Sequence, residues 1–149
     1  MEGKKYIDCY SSGCSANHGH CHPKIRDAMI KQASKLTLTS RAFQNDRFAP
    51  FQKKICELLG FDKVSTMTPG NEAMETAIKF ARRWGYEAKG IKKDTAKIVF
   101  SSTKWGTTVT GLACYPNPDS LGYGPFKGFG FETMEFNNID ALQARFEKS

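Results

Sequence analysis

Val64-Ser65-Thr66-Met67-Thr68-Pro69-Gly70-Asn71-Glu72-Ala73-Met74-Glu75-Thr76-Ala77 is the stretch on which the fold turns. Val64 to Met67 reads as a short strand, Thr68-Pro69-Gly70 breaks it, and a helical pattern begins at once. A strand that turns directly into a helix is the repeating unit of an α/β fold. A helix start leaves backbone N–H groups unpaired and carries about half a positive charge, so the turn makes an anion site. Gly70 lets an anion approach the backbone closely. The N–H groups of Gly70, Asn71 and Glu72 are the natural donors, with the Asn71 amide as a further one, while Pro69 has no N–H to give. The same residues also read as a plain helix start, with Thr68 as cap and Pro69 in the first turn. Local pattern leaves both readings open.

The helix after the turn runs to about Trp84, with Met74, Ala77, Ile78, Ala81 and Trp84 on an inward face and Glu75, Lys79, Arg82 and Arg83 pointing away. Gly85 is its expected stop. Upstream, Tyr6 to Tyr10 is a candidate strand, followed by a small-residue loop from Ser11 to Gly19. His22-Pro23 opens a helix whose Ile25, Ala28, Met29, Ala33 and Leu36 share one face, and a second helix spans Asp46 to Leu59 with Phe48, Phe51, Ile55, Leu58 and Leu59 as a buried stripe and Gly60 as its end. Downstream, Ala96 to Phe100 reads as a buried strand, Thr107 to Ala113 as a short helix, 115–130 as a long Pro/Gly/aromatic loop, Phe131 to Phe136 as a strand and Asn138 to Lys148 as a last helix. Helices alternating with short buried strands predict an α/β fold with a mostly parallel sheet.

The chain has 149 residues, about one domain, with apolar and charged fractions of 40% and 25% that suit a globular protein. No apolar run is long enough for a bilayer, and Met1 to Tyr6 lacks the apolar core of a signal peptide, so the expectation is an intracellular protein with no membrane partner. The net charge of +7 comes from scattered Lys and Arg with one modest cluster at Lys89 to Lys93, and no nucleic-acid module or interleaved aromatics accompany it; it reads as a solvated basic surface rather than a nucleic-acid site, and would also suit acidic or phosphorylated small molecules. The phosphate loop Gly-x-x-x-x-Gly-Lys-Ser/Thr does not occur, and Gly122-x-Gly124 reaches Gly128 one residue too late for a dinucleotide fingerprint.

Five cysteines, Cys9, Cys14, Cys21, Cys56 and Cys114, are an odd and irregular set, so reduced thiols are expected. Cys9, Cys14 and Cys21 lie close in sequence to His18, His20 and His22, which makes a small zinc-binding module a rival reading. Alternation along an extended segment points such ligands to opposite sides, and no Cys-x-x-Cys pair is present, so no metal ligand is assigned.

Five stretches carry a resemblance: Gly19-His20-Cys21-His22-Pro23-Lys24-Ile25, Leu36-Thr37-Leu38-Thr39-Ser40-Arg41-Ala42-Phe43, Ala81-Arg82-Arg83-Trp84-Gly85-Tyr86, Lys97-Ile98-Val99-Phe100 and Gly122-Tyr123-Gly124-Pro125-Phe126. Through them, over nearly its whole length, the chain resembles the ornithine aminotransferases of class III, which depend on pyridoxal 5'-phosphate. The resemblance implies the front portion of the large domain of a fold-type-I pyridoxal-phosphate transferase: residues 1–149 would be one incomplete domain, without the family's small C-terminal domain. It implies transfer of the δ-amino group of ornithine to 2-oxoglutarate, in the cytoplasm or in mitochondria, by a dimer or larger homo-oligomer.

Gly70 and Asn71 match the positions whose backbone N–H groups hold the cofactor phosphate, with Pro69 where the family usually has a hydroxyl residue. Lys104-Trp105-Gly106-Thr107 matches a family run of an aromatic followed by Trp-Gly-Arg. The stacking aromatic is therefore Lys104 and the substrate-binding arginine is Thr107, which leaves Trp105 to take the stacking role. The family tyrosine that lines the substrate pocket is Gln44. No lysine matches the one that forms the Schiff base, so no catalytic residue is assigned and the isolated chain is expected to be inactive. The alternative that the resemblance allows is a divergent, non-catalytic pseudoenzyme that pairs with a full-length subunit.

Overall fold

A computed structural model of the chain describes residues 2–40, 42–101, 105–115, 122 and 130–148. The chain divides into two compact units, Met1–Val64 and Ser65–Ser149.

The first unit is helical. The Asp8 carboxylate accepts the backbone N–H groups of Tyr10 and Ser11 at 2.9 Å each, and these bonds hold its ionisation below the ordinary carboxylate range. The chain then makes a single helical turn, α1 (Ser11–Cys14), with left-handed φ at Ser11, Ser12, Gly13 and Cys14, where a loop was expected. The candidate strand Tyr6 to Tyr10 does not form; Tyr6 and Ile7 are exposed and have no neighbouring strand to bond. Helix α2 (Pro23–Ala33) starts on its proline, as expected. Helix α3 (Phe48–Leu59) ends where Gly60 turns left-handed at φ 72° and its N–H returns to the Cys56 carbonyl. The stripe on α3 is not buried: Phe51 is 49% exposed and Leu58 70%, because no described part of the chain covers it. Lys35 and Asp46 join the α2 exit to the α3 entry at 2.6 Å.

The second unit holds the sheet. Its elements are α4 (Gly70–Glu87), β1 (Ile98–Ser101), α5 (Val109–Ala113), β2 (Phe131–Met134) and α6 (Ile139–Glu147). Strands β1 and β2 pair in parallel, Ile98 with Phe131 through Ser101 with Met134, so the chain crosses over through α5 between them. The predicted parallel α/β arrangement is therefore present, on a small scale. Val64 to Met67 is not one of the strands; the segment stays irregular because neither β1 nor β2 bonds to it. Phe100 is the buried centre, with the rings of Trp105 and Phe131 edge-on at 5.5 and 5.4 Å, and Ala96 and Cys114 are buried beside it. Gly130, at φ 73°, lies so close to the Ala96 carbonyl that a Cβ would meet the oxygen at 2.7 Å, and its own carbonyl accepts the Ile98 N–H. Glu132 on β2 draws in Lys97 at 3.0 Å and Arg145 of α6.

Two expectations about α4 are corrected. Gly85 does not stop it: the glycine is buried in the helix, its would-be Cβ 3.3 Å from the Ile91 side chain, and the helix continues to Glu87. The inward face is also rotated. Asn71, Met74, Glu75, Ile78, Arg82 and Gly85 are buried or half-buried, whereas Ala77, Ala81 and Trp84 are exposed. Polar anchors replace bulk on the covered side: Arg82 donates to the Tyr86 hydroxyl at 2.8 Å, and Glu75 accepts from Thr108. Among the described residues no helix is long and apolar enough to cross a membrane.

Candidate functional site

The site forms where α4 begins. Pro69 is its N-cap, extended at φ −96° and ψ 162°, and Gly70 is the first helical residue. Thr68 therefore does not cap the helix, and no side chain accepts a hydrogen bond from the first turn. The Pro69 carbonyl takes the N–H of Glu72 at 3.0 Å and of Ala73 at 3.3 Å. Of the three expected donors Glu72 is thus occupied, while the N–H groups of Gly70 and Asn71 have no acceptor among the described residues. Gly70 is exposed, and a Cβ on it would meet nothing within 4 Å, so no described residue crowds the glycine. The Glu72 carboxylate turns back to the Thr68 N–H at 3.4 Å, half of a capping box whose other half the proline cannot supply.

The segment leaving β1 comes to the same place. Trp105 donates its indole N–H to the Ser101 carbonyl at 2.9 Å and packs edge-on against Phe100, which fixes it to the strand end. Gly106 follows at φ 116°, and Asn71 Oδ1 lies 2.5 Å from where its Cβ would be. Asn71 Nδ2 donates to Thr107 Oγ1 at 3.2 Å, so the amide expected to be a free donor is partly spent on holding the loop. Gly70, Asn71 and Trp105, singled out in the sequence, thus lie at one locus of the second unit. Lys104 and most of 115–130, including Tyr123 to Phe126, fall outside the described residues. Gln44 lies in the first unit and is exposed.

The sequence places Glu75 on the outward face of its helix and Thr108 inside the short helix, and gives neither a part in the site. Thr108 caps α5: its hydroxyl accepts the Gly111 N–H at 3.0 Å and donates to Glu75 Oε1 at 2.7 Å. The available signal was spacing, because Glu75 lies one turn beyond Asn71 on the same helix face. At the Cys/His segment, His18 Nδ1 bonds to Asn17 Oδ1 at 2.7 Å and its ring meets His22 edge-on at 6.5 Å. No group of three metal-ligating side chains gathers among the described residues.

A parallel crossover with a helix start beside the strand end is common to α/β proteins, and comparison with known families narrows it: the class III aminotransferase family matches residues 1–142, and the chain belongs to it. Among relatives, the mitochondrial ornithine aminotransferase of Rattus norvegicus is 47% identical over 145 residues, 96% of this chain and 33% of that protein. The chain spans about a third of the length of the curated relatives it matches. A structure of Toxoplasma gondii ornithine aminotransferase, with partial occupancy of PLP at its active site, superposes with a TM-score of 0.89 at 38% identity, covering 99% of this chain and 35% of that one. The acetylornithine aminotransferase of Elizabethkingia anophelis does so with a TM-score of 0.81 at 45% identity, covering 99% and 35%. The Cys/His segment and the start of α4 therefore lie within an aminotransferase frame, in which the fold is a partial α/β domain like that of the pyridoxal-phosphate enzymes it resembles.

Proposed function

We propose that this chain supplies the phosphate-holding part of an ornithine aminotransferase large domain, as a single incomplete domain over residues 1–149. The observation that carries the reading is the start of α4, which Pro69 does not cap with a side chain and where the N–H groups of Gly70 and Asn71 have no acceptor among the described residues. Two N–H groups without an acceptor at a positive helix end suit a phosphate monoester, so the residues present fit the phosphate end of pyridoxal phosphate. Gly70 and Asn71 would hold that phosphate, and Trp105, pinned to β1, would offer ring surface beside the cofactor. Asn71 and Thr107 keep the strand-end loop against the helix start. When bound, pyridoxal phosphate supplies an electron sink for the carbanion formed at the amine-bearing carbon of a substrate.

In the whole enzyme the substrates would be ornithine, giving up its δ-amino group, and 2-oxoglutarate, in a homodimer or larger homo-oligomer inside the cell. Support comes from the identity to ornithine enzymes. Pro69, Lys104, Thr107 and Gln44 depart from the pattern that the resemblance implies, which favours a divergent and weaker ornithine site. No lysine here matches the Schiff-base lysine, so the expected behaviour of the isolated chain is weak cofactor binding without turnover of substrate. A non-catalytic chain that pairs with a full-length subunit is the same reading carried one step further.

The test is a titration of the chain with pyridoxal phosphate and with pyridoxal, followed by borohydride reduction. Tighter binding of the phosphorylated form, competition by inorganic phosphate and no single trapped lysine are expected. Equal binding of both forms would remove the phosphate cup, and one defined lysine adduct would remove the inactive reading.

A further inference from the structure

We propose that Glu75 is a positioning residue for the anion cup, acting through Thr108 to hold Gly106 and Thr107 against Asn71. The inference rests on reading the start of α4 as a phosphate site, and it concerns what keeps that site assembled.

The observation is a closed circuit. Glu75 Oε1 accepts the Thr108 hydroxyl proton at 2.7 Å, a short bond of the kind a carboxylate forms. The same hydroxyl oxygen accepts the Gly111 N–H at 3.0 Å, which starts α5. Gly111 rests on the Gly106 backbone so tightly that a Cβ would come within 2.9 Å of the Gly106 carbonyl oxygen. Gly106 in turn lies under Asn71 Oδ1, and Asn71 Nδ2 closes the circuit on Thr107. Asn71 and Glu75 are one helical turn apart, so α4 grips the loop at two points and the loop's two glycines remove the bulk that would hold them apart.

A carboxylate turned to the covered face of a helix costs desolvation unless it is bonded. Glu75 is half-buried, and its partner is the cap of the next helix rather than a surface cation. A solvated surface carboxylate would cap nothing. This one fixes the hydroxyl rotor of Thr108: with its single proton committed to Glu75, the oxygen is left as acceptor for Gly111. Orientation therefore passes from α4 through α5 to the residues beside the anion donors.

The experiment measures pyridoxal phosphate affinity and the exchange rate of the Trp105 indole N–H in the chain and four variants. Glu75→Ala and Thr108→Val are each expected to weaken pyridoxal phosphate binding by about tenfold, the loss of one such hydrogen bond, and to speed indole exchange. Thr108→Ser keeps the hydroxyl and is expected to bind within about twofold of the parent, and Glu75→Gln, which keeps an acceptor without the charge, to fall about threefold. Asn138→Ala, which weakens α6 alone, controls for general destabilisation and is expected to leave affinity unchanged. Parent-like affinity in Glu75→Ala, or a Thr108→Ser variant as weak as Thr108→Val, overturns the assignment. If the parent binds no pyridoxal phosphate, the cup reading fails and indole exchange alone decides: rates in Glu75→Ala and Thr108→Val equal to the parent overturn the role of Glu75, and faster rates restored by Thr108→Ser support it.

Discussion

Gly106 is the residue least open to change. Its φ of 116° and the 2.5 Å approach of Asn71 Oδ1 exclude a side chain on both conformational and steric grounds. Gly106→Ala should cost about 1–3 kcal/mol of local stability, read as faster exchange of the Gly111 amide and the Trp105 indole. Cys114 shows a different constraint. Burial, with the charge of Glu75 adding to it, pushes its thiol from an ordinary 9.0 up to about 11. The folded chain holds this proton more tightly than the unfolded one does. The contribution is therefore complete below about pH 9 and is lost as pH rises toward about 11. The near-ultraviolet circular dichroism of the Phe100–Trp105 pair should fall across that window in the parent and fall less in Cys114→Ala. At about pH 8 a thiol reagent should modify the exposed Cys9, Cys14 and Cys21 first and Cys114 last.

At the scale of elements, helices were read more securely than strands. Pro23, Gly60 and Asn138 are local signals, and each falls at a helix end in the structure. Asn138 accepts the Ala141 N–H at 2.9 Å as the cap of α6. Asn138→Ala should cost about 1 kcal/mol and speed amide exchange in the first turn of α6 about fivefold, with β1 and β2 unaffected. Strands depend on partners that a linear pattern does not name. Ile98–Ser101 and Phe131–Met134 pair with each other, whereas Val64 to Met67 and Tyr6 to Tyr10 have no strand partner among the described residues. The orientation of α4 was missed for a related reason. Its pattern gives two candidate stripes, and hydrophobicity alone selects the one with Ala77 and Trp84, while the bonds of Asn71, Glu75 and Arg82 select the other. The helix start at Gly70 was legible because it needs only one turn and one helical pattern. The Glu75–Thr108 contact was not, since it joins residues 33 positions apart.

Across the whole molecule, apolar surface is abundant and cover is scarce. Among the described residues Ala96, Phe100 and Cys114 are the buried apolar side chains, while Phe51, Leu58, Phe80 and Trp84 stand out in solvent. Each described strand has a single partner among the described residues, and a strand edge left unpaired favours association. The chain should therefore bind a hydrophobic dye such as anilinonaphthalene sulfonate and self-associate as concentration rises; a dye-silent monomer by analytical ultracentrifugation would contradict this. The family frame was legible through its motifs, whereas the extent of uncovered surface was not, because a stripe of apolar residues reads the same whether or not its partner is present. The two faces of α4 have a practical corollary. Phe80 and Trp84 lie on the side away from Asn71 and Glu75, so polar replacements there make the chain easier to handle without altering the anion turn. In this helix solubility and ligand geometry are independent design variables, each adjustable by substitutions that leave the other untouched.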